Sequence, residues 1–300
     1  MRELDPGATA LRTIASLLAT WLLWGSAYLA IKIALPDFPP FFQMGTRFVA
    51  AGTLLLLWVG VHAGGWPTRT EWRDSVVIGV LLLVGGAGGT AYAEQTIPSG
   101  LVAGFIAVEP ALIVIGGLAL GRRSSWLETI GVFLGFCGVV LLVRGRGFSA
   151  SPAGALVMLA ATISWSAGSL LAQRKFASGV PAAGTACQMI CGGSALLIVS
   201  ALVGEPLHLP STLPAMLAWL YLVVFGSVVA YSGFIYLLAH TRTTVAMSYT
   251  FVNPFVALVL GVAFGGEQIG LGECFAIGVI ATGVVLLFMN TSPRNSRRHI

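Results

Sequence analysis

Glu109-Pro110 and Asn253-Pro254 each set a polar side chain beside a proline inside an apolar run. An ionisable group in such a run is costly, so by default it marks a ligand or ion site. The proline removes a backbone donor and loosens the helix, which leaves carbonyls able to meet a ligand. The Glu109 carboxylate suits contact with a substrate ammonium, or it can hold a proton; the competing reading is a carboxylate paired with Arg47 or hydrogen-bonded within the bundle. The Asn253 amide can donate to a carboxylate and accept from an ammonium, which suits a zwitterion. Its competing reading is an interhelical hydrogen bond worth about 1 kcal/mol. Arg47 is open to three roles: snorkelling outward, clamping a carboxylate, or pairing with Glu94 or Asp37. The structural ion pair is the expected one.

Aromatic residues extend the set. Trp24 and Trp165 lie well inside their apolar runs, and Tyr28, Tyr92, Tyr231, Tyr236 and Tyr249 accompany them. Such rings offer apolar area, a hydroxyl or indole donor, and a face that can hold a cation. Ordinary packing is the alternative for each ring taken singly. The candidate substrate-binding residues are therefore Trp24, Tyr28, Tyr92, Glu109, Pro110, Trp165, Tyr231, Tyr236, Tyr249, Asn253 and Pro254. Trp58, Trp66, Trp72, Trp126 and Trp219 fall at or near run ends and read as interfacial anchors. Cys137, Cys187, Cys191 and Cys274 form no C-x-x-C pair, and the histidines form no ligand spacing, so no metal is expected. There is no phosphate-binding glycine loop and no G-x-S-x-G elbow, so no cofactor and no enzymatic activity are expected. Only Glu109 among acid or base groups is deeply placed.

These residues need elements to hold them. Of 300 residues 57% are hydrophobic and 9% charged, with mean hydropathy +0.91. A soluble domain carries about 25% charged residues, so the chain is expected to be an all-α integral membrane protein. Runs of this length without period-two alternation read as helices. Ten spans are expected, at roughly 12–33, 42–62, 74–93, 97–119, 127–144, 152–173, 184–204, 214–238, 244–265 and 272–290. Short connections leave no room for a soluble domain. The run after Arg12 is too long for a signal-peptide core and lacks a convincing cleavage site.

The net charge of +5 follows topology. With the N-terminus in the cytoplasm, Lys32, Arg144 and Arg146 lie outside and Arg47 within a span. The rest of the sixteen Lys and Arg, among them Arg69, Arg122, Arg174 and Arg242, lie inside. That bias puts both termini in the cytoplasm and the basic tail against anionic lipid. A small-molecule substrate and membrane lipid are the expected partners, with no nucleic acid, and a monomer is the expected unit.

The chain also repeats itself. Gly138-Val139-Val140-Leu141-Leu142 recurs as Gly283-Val284-Val285-Leu286-Leu287. Trp24-Gly25-Ser26-Ala27 matches Trp165-Ser166-Ala167-Gly168, Arg47 matches Gln188, Gly52 Gly193, Tyr92 Tyr236, Pro110 Pro254 and Gly121 Gly265. Each match is weak alone; their common order is strong. Five spans duplicated in tandem put the second copy upside down, an arrangement typical of secondary transporters. The expected fold is ten transmembrane helices as two inverted five-helix repeats, 1–146 and 147–300. Glycine clusters at 85–89 and toward the ends of the fourth and ninth spans suit close, sliding helix contacts.

With its W-G-S at Trp24, Arg47, Glu109-Pro110, Asn253-Pro254 and the two G-V-x-L-L-like segments, the chain resembles the EamA type of the drug/metabolite transporter superfamily. The resemblance covers essentially the whole chain and implies export of amino acids or other small metabolites; some members resemble exporters of aromatic amino acids. The expected function is a secondary carrier in the bacterial inner membrane that exports small amphipathic metabolites, amino acids above all, by alternating access. A proton-coupled exporter of drugs or other metabolites is the alternative, ahead of a channel or a membrane enzyme.

Overall fold

A computed structural model describes residues 6–62, 66–97, 102, 105–122, 124–143, 151–175, 182–265 and 271–289. Over these residues it is helical, without a strand. The segments are α1 (Pro6–Ala34), α2 (Pro40–His62), α3 (Arg69–Ala93), α4 (Glu109–Ala119), α5 (Trp126–Val143), α6 (Pro152–Lys175), α7 (Ala182–Leu202), α8 (Leu213–His240), α9 (Tyr249–Gly265) and α10 (Leu271–Met289), with a single turn at Thr243–Ala246 ahead of α9. Several starts are written in the sequence. Pro40, Pro152 and Pro214 fall in first turns, where a missing N–H loses no helical bond. Thr68 opens α3 with a reciprocal cap: its hydroxyl accepts from the Glu71 N–H at 3.3 Å, and its own N–H donates to the Glu71 carboxylate at 2.6 Å. Val80–Gly88 in α3 and Leu222–Val229 in α8 are wound wider, as π-helix.

Helices α1 (from Thr9), α2, α3, α6, α7 and α8 are long and apolar enough to cross a membrane. Glu109–Ala119, Trp126–Leu141 and Phe275–Met289 are shorter apolar helices. The outward sides are apolar as well. On α1, Leu11, Ile14, Leu18, Leu22, Leu29 and Ile33 are exposed at helical spacing, while Ala27, Ala30, Ile31 and Ala34 are buried. Hydrocarbon accepts such a stripe, and water does not. The chain is a multi-pass membrane protein.

Hydrogen bonds sort the connections onto two faces. On the first, Asp37 between α1 and α2 accepts from the N–H groups of Ser211 (2.6 Å) and Thr212 (2.8 Å) and from both hydroxyls, at the start of α8. Reciprocally, Glu205 between α7 and α8 accepts from the N–H groups of Phe41 (3.1 Å) and Phe42 (2.8 Å) in the first turn of α2. Ser151 before α6 donates to Thr96 after α3 at 3.3 Å on this face. On the second face Lys175, ending α6, pairs with Asp74 of α3 at 3.2 Å. Arg242 after α8 pairs with Glu128 of α5 at 3.2 Å, and Thr244 donates to the same carboxylate at 2.5 Å. Arg122 after α4 donates to Gln173 of α6.

Packing crosses between the chain halves. Helix α2 lies along α7 and α5 along α10; α1 packs on α8 and α9 as α6 packs on α3 and α4. Backbones meet where a side chain would not fit. A Cβ on Gly79 of α3 would lie 2.7 Å from the Gln188 carbonyl oxygen of α7, and one on Gly283 of α10 would lie 2.6 Å from the Gly135 nitrogen of α5.

The fourth span differs from its expected form. Instead of a helix over 97–119 loosened at Pro110, a turn at Ala107-Val108 ends the Phe105-Ile106 helix, and α4 restarts at Glu109. Pro110 sits in that first turn, where proline is well tolerated. The second-half break is the Met247-Ser248 turn ahead of α9, so Pro254 lies inside α9 and not at the break.

The loop caps can be tested. Donation from the Thr212 N–H, then from the Ser211 hydroxyl, holds Asp37 below the usual carboxylate range. A depressed carboxyl stabilises the fold above its unfolded pKa of about 3.9, and that contribution fades as pH falls through the lower folded value. Asp37→Ala is expected to lower the Tm of detergent-purified protein by a few degrees near neutral pH, and the difference from wild type should close in strong acid. Glu205→Ala should cost about 0.5–2 kcal/mol, the usual range for a lost helix cap, read in the same melts.

Candidate functional site

Residues beside both helix breaks, Ile106, Glu109 and Tyr249, line a cavity with about 640 Å³ of free space, its open mouth included. Trp24, Tyr28, Arg47, Glu109, Trp165, Tyr231 and Tyr249 line it, with Gly86 and Gly226 from the π-helical stretches of α3 and α8. From its aromatic end the lining runs toward Ile31, Met44 and Thr90, near the ends of α1, α2 and α3 on the Asp37 face.

Aromatic rings build one end. Trp24 meets Trp165 edge-on with centroids 5.7 Å apart and Tyr249 edge-on at 4.8 Å. Phe234, fully buried, backs all three at 5.2–5.8 Å. The edge-on pairs bring the positive rim of one ring to the negative face of another. Two small residues make room. A Cβ on Gly86 would come 2.5 Å from the Trp165 ring, and one on Gly226 would come 2.7 Å from the Arg47 guanidinium. The Trp24 indole N–H donates to the Gly226 carbonyl at 2.9 Å. Its counterpart on Trp165 is buried with no hydrogen-bond partner among the described residues.

Two charged groups join the lining. Glu109 is 4% exposed, and one of its oxygens accepts from the Tyr249 hydroxyl at 2.8 Å, so the first residues of α4 and α9 are bonded to each other. Arg47, also in the lining, is 5% exposed. Its Nε–H donates to the Ser227 hydroxyl at 2.7 Å, one amino group lies 3.5 Å from the Met44 sulfur, and the guanidinium carbon stands 4.9 Å from the Phe48 ring centre. Among the described residues no carboxylate pairs with it. The ion pair expected from sequence is therefore absent: Asp37 is engaged at the start of α8, and neither oxygen of Glu94 has a hydrogen-bond partner among the described residues. Tyr231 donates to Gln188 at 2.9 Å.

Trp24, Tyr28, Glu109, Trp165, Tyr231 and Tyr249 of the sequence set thus converge, and Tyr92, Pro110, Tyr236, Asn253 and Pro254 lie outside the lining. Tyr92 is 45% exposed and stacks on Phe41 at 5.4 Å; Tyr236 stacks on His240 at 4.1 Å. Pro110 and Pro254 are buried in α4 and α9. Asn253, with its amide oriented to suit its neighbours, donates to the carbonyls of Trp21 (3.0 Å) and Tyr249 (3.1 Å), which fastens α9 to α1. The Trp21 indole, donating to Ser248 at 2.9 Å, fastens the same break. Phe234, Gly226 and Ser227 escaped the sequence reading; a Gly-Ser pair within the apolar run of α8 was the signal available for the last two. Trp58, Trp66 and Trp126 are exposed as anchors should be, whereas Trp219 is half-buried and donates to Thr46 at 3.2 Å.

A cavity lined by paired helix breaks and fed by two similar chain halves is a transporter arrangement, and comparison with known proteins agrees. Residues 11–144 and 152–289 each match the EamA-like transporter family, and the chain belongs to that family. It is 36% identical over 273 residues to the uncharacterized inner membrane transporter YedA of Escherichia coli K12, covering 91% of this chain and 89% of YedA. It is 28% identical to the protein PecM of Dickeya dadantii, covering 92% and 91% of the two chains. A solved crystal structure shares the fold with a TM-score of 0.77 at 21% identity, covering 95% of this chain and 98% of that one.

The two tryptophans separate bonding from packing. Trp24→Phe removes the indole bond to Gly226 and should cost about 0.5–1.5 kcal/mol. Trp165→Phe breaks no backbone bond of this kind and loses only ring packing, so it should cost less than Trp24→Phe. Paired thermal melts of the two purified variants check the contrast.

Proposed function

We propose that the chain is a secondary carrier that exports small amphipathic metabolites, amino acids foremost, by alternating access between two five-helix halves, 1–146 and 147–300, inverted relative to each other in the membrane. The observation that carries this reading is the Glu109–Tyr249 bond, which joins the first residues of two interrupted helices, one from each half, at a cavity between them. Interrupted helices at a repeat interface place helix starts and free carbonyls where a substrate sits. The inversion is supported by the connections: the start of α6 bonds on the face where α1 ends, and the start of α8 bonds on the face where α3 ends. All ten helices cross the membrane in this reading, with the Asp37 face outside and both termini in the cytoplasm of a bacterial inner-membrane monomer.

Trp24, Tyr28, Trp165, Tyr231 and Tyr249 supply the amphipathic wall, and Glu109 takes the substrate ammonium. Pro110, Asn253 and Pro254 act one step back, by shaping and fastening the breaks. A second reading has an observation in its favour. A buried carboxylate with one oxygen bound by a phenol can store a proton, which would couple export of drugs or other metabolites to a pH gradient.

Purified protein in proteoliposomes, offered a panel of amino acids, tests the first reading by saturable exchange. Glu109→Gln should weaken affinity roughly ten- to a hundred-fold, since a charged hydrogen bond contributes about 1.5–3 kcal/mol. Under proton coupling the same variant would keep exchange and lose uphill transport driven by pH. For orientation, single cysteines at Leu209 and Arg174 in a cysteine-free background should be labelled from outside and from inside respectively; the reverse pattern would overturn the topology.

A further inference from the structure

We propose that Arg47 is the carboxylate-binding residue of this cavity, so that the carrier requires an anionic group on its substrate. The inference rests on the carrier reading above and adds the group that selects for it.

Three observations carry it. First, Arg47 is a buried cation with a cavity in front of it and, among the described residues, no carboxylate paired to it. An ion withdrawn from water and left without a counter-charge is strongly destabilising, and in a membrane-spanning helix such a residue characteristically serves a ligand. Second, its head is held and its donors are left over. Nε–H is used on Ser227, one amino group rests near the Met44 sulfur, and the Phe48 ring and Gly226 border the guanidinium. A guanidinium has five N–H donors in a fixed fork, so most remain for a planar acceptor, which a carboxylate fits with two parallel bonds. The bare Cα of Gly226 is what lets the fork stand there.

Third, the same cavity holds an acid that does not neutralise Arg47. Glu109 lines it, bonded to Tyr249 and forming no ion pair with Arg47. Two groups of opposite sign that share one largely aromatic lining without pairing match a molecule that carries both signs on an apolar body. Asn253, the other residue suited to a carboxylate, is spent on the carbonyls of Trp21 and Tyr249. Within the cavity lining that leaves Arg47 as the cationic group.

The test compares each amino acid of a panel with its own methyl ester and its decarboxylated amine, in proteoliposome exchange. Wild type should move acids and reject the matching esters and amines. Arg47→Gln should weaken uptake of the acid roughly ten- to a hundred-fold and flatten the acid-to-ester ratio, while Arg47→Lys restores part of that ratio. Ser227→Ala, which frees the guanidinium without removing it, should narrow the ratio in a protein that folds normally. A merely structural arginine would lower the amount of folded protein and leave the ratio alone. Wild type that moves esters and amines as well as acids overturns the role of Arg47 and leaves the carrier standing, and so does a folded Arg47→Gln with an unchanged ratio. Wild type that moves no member of the panel overturns the amino-acid reading itself. If Arg47→Gln does not fold, the wild-type and Ser227→Ala ratios decide alone.

Discussion

Moving a guanidinium or a carboxylate from water into a protein interior costs several kcal/mol per ion even after relaxation. Among the ions this chain buries, Arg47 and Glu109 line one cavity. Much of the surrounding structure serves to keep those two groups apart and oriented. Ser227 of α8 holds the arginine, Tyr249 of α9 holds the glutamate, and the indole of Trp24 fixes the carbonyl of Gly226 beside the guanidinium. Helices from both chain halves are recruited for each charge. The lipid-facing surface meanwhile stays apolar, so the cost of the polar interior falls on packing between helices.

Close packing in turn depends on small residues. At Gly79 and Gly283 a methyl group would strike a neighbouring backbone, and at Gly86 and Gly226 it would strike Trp165 and Arg47. The first pair lets helices touch; the second lets functional side chains occupy the space a side chain would take. The π-helical windings sit where these needs meet, since both Gly86 and Gly226 lie within them. A π turn shifts the carbonyl ladder and exposes acceptors along one side, and the Gly226 carbonyl is one that an indole has taken.

The helix positions were legible because long apolar runs follow from solvent alone; the first-turn prolines and the Thr68-x-x-Glu71 box, which fix ends locally, were there to be read as well. The repeat was legible for the same reason, as Trp24 and Trp165 recur within the cavity wall. Tyr92 and Tyr236 also recur, yet they stack on Phe41 and His240, because equivalence in a repeat fixes a place on a helix and not the direction of its neighbours. The break in the fourth span was misplaced by following Pro110. A first-turn proline costs nothing, and the true break at Ala107-Val108 carries no local signal. The arginine was matched to acids by sign, but Asp37 had a better use at the start of α8, where backbone N–H groups and a helix end receive it. The Glu109–Tyr249 bond spans 140 residues of sequence, and only tertiary packing could reveal it.

The departures from symmetry carry the last step. The helix contacts repeat in paired form, with α1 on α8 and α9 matched by α6 on α3 and α4. The polar contacts at the cavity do not. Trp24 has its carbonyl and Trp165 has none; Arg47 of α2 has Ser227, whereas its counterpart Gln188 in α7 accepts from Tyr231. Here the asymmetric bonds all draw α8 toward α1, α2 and α7, and the cavity extends toward the Asp37 face. The framework is shared between the halves, and the polar groups laid over it are not.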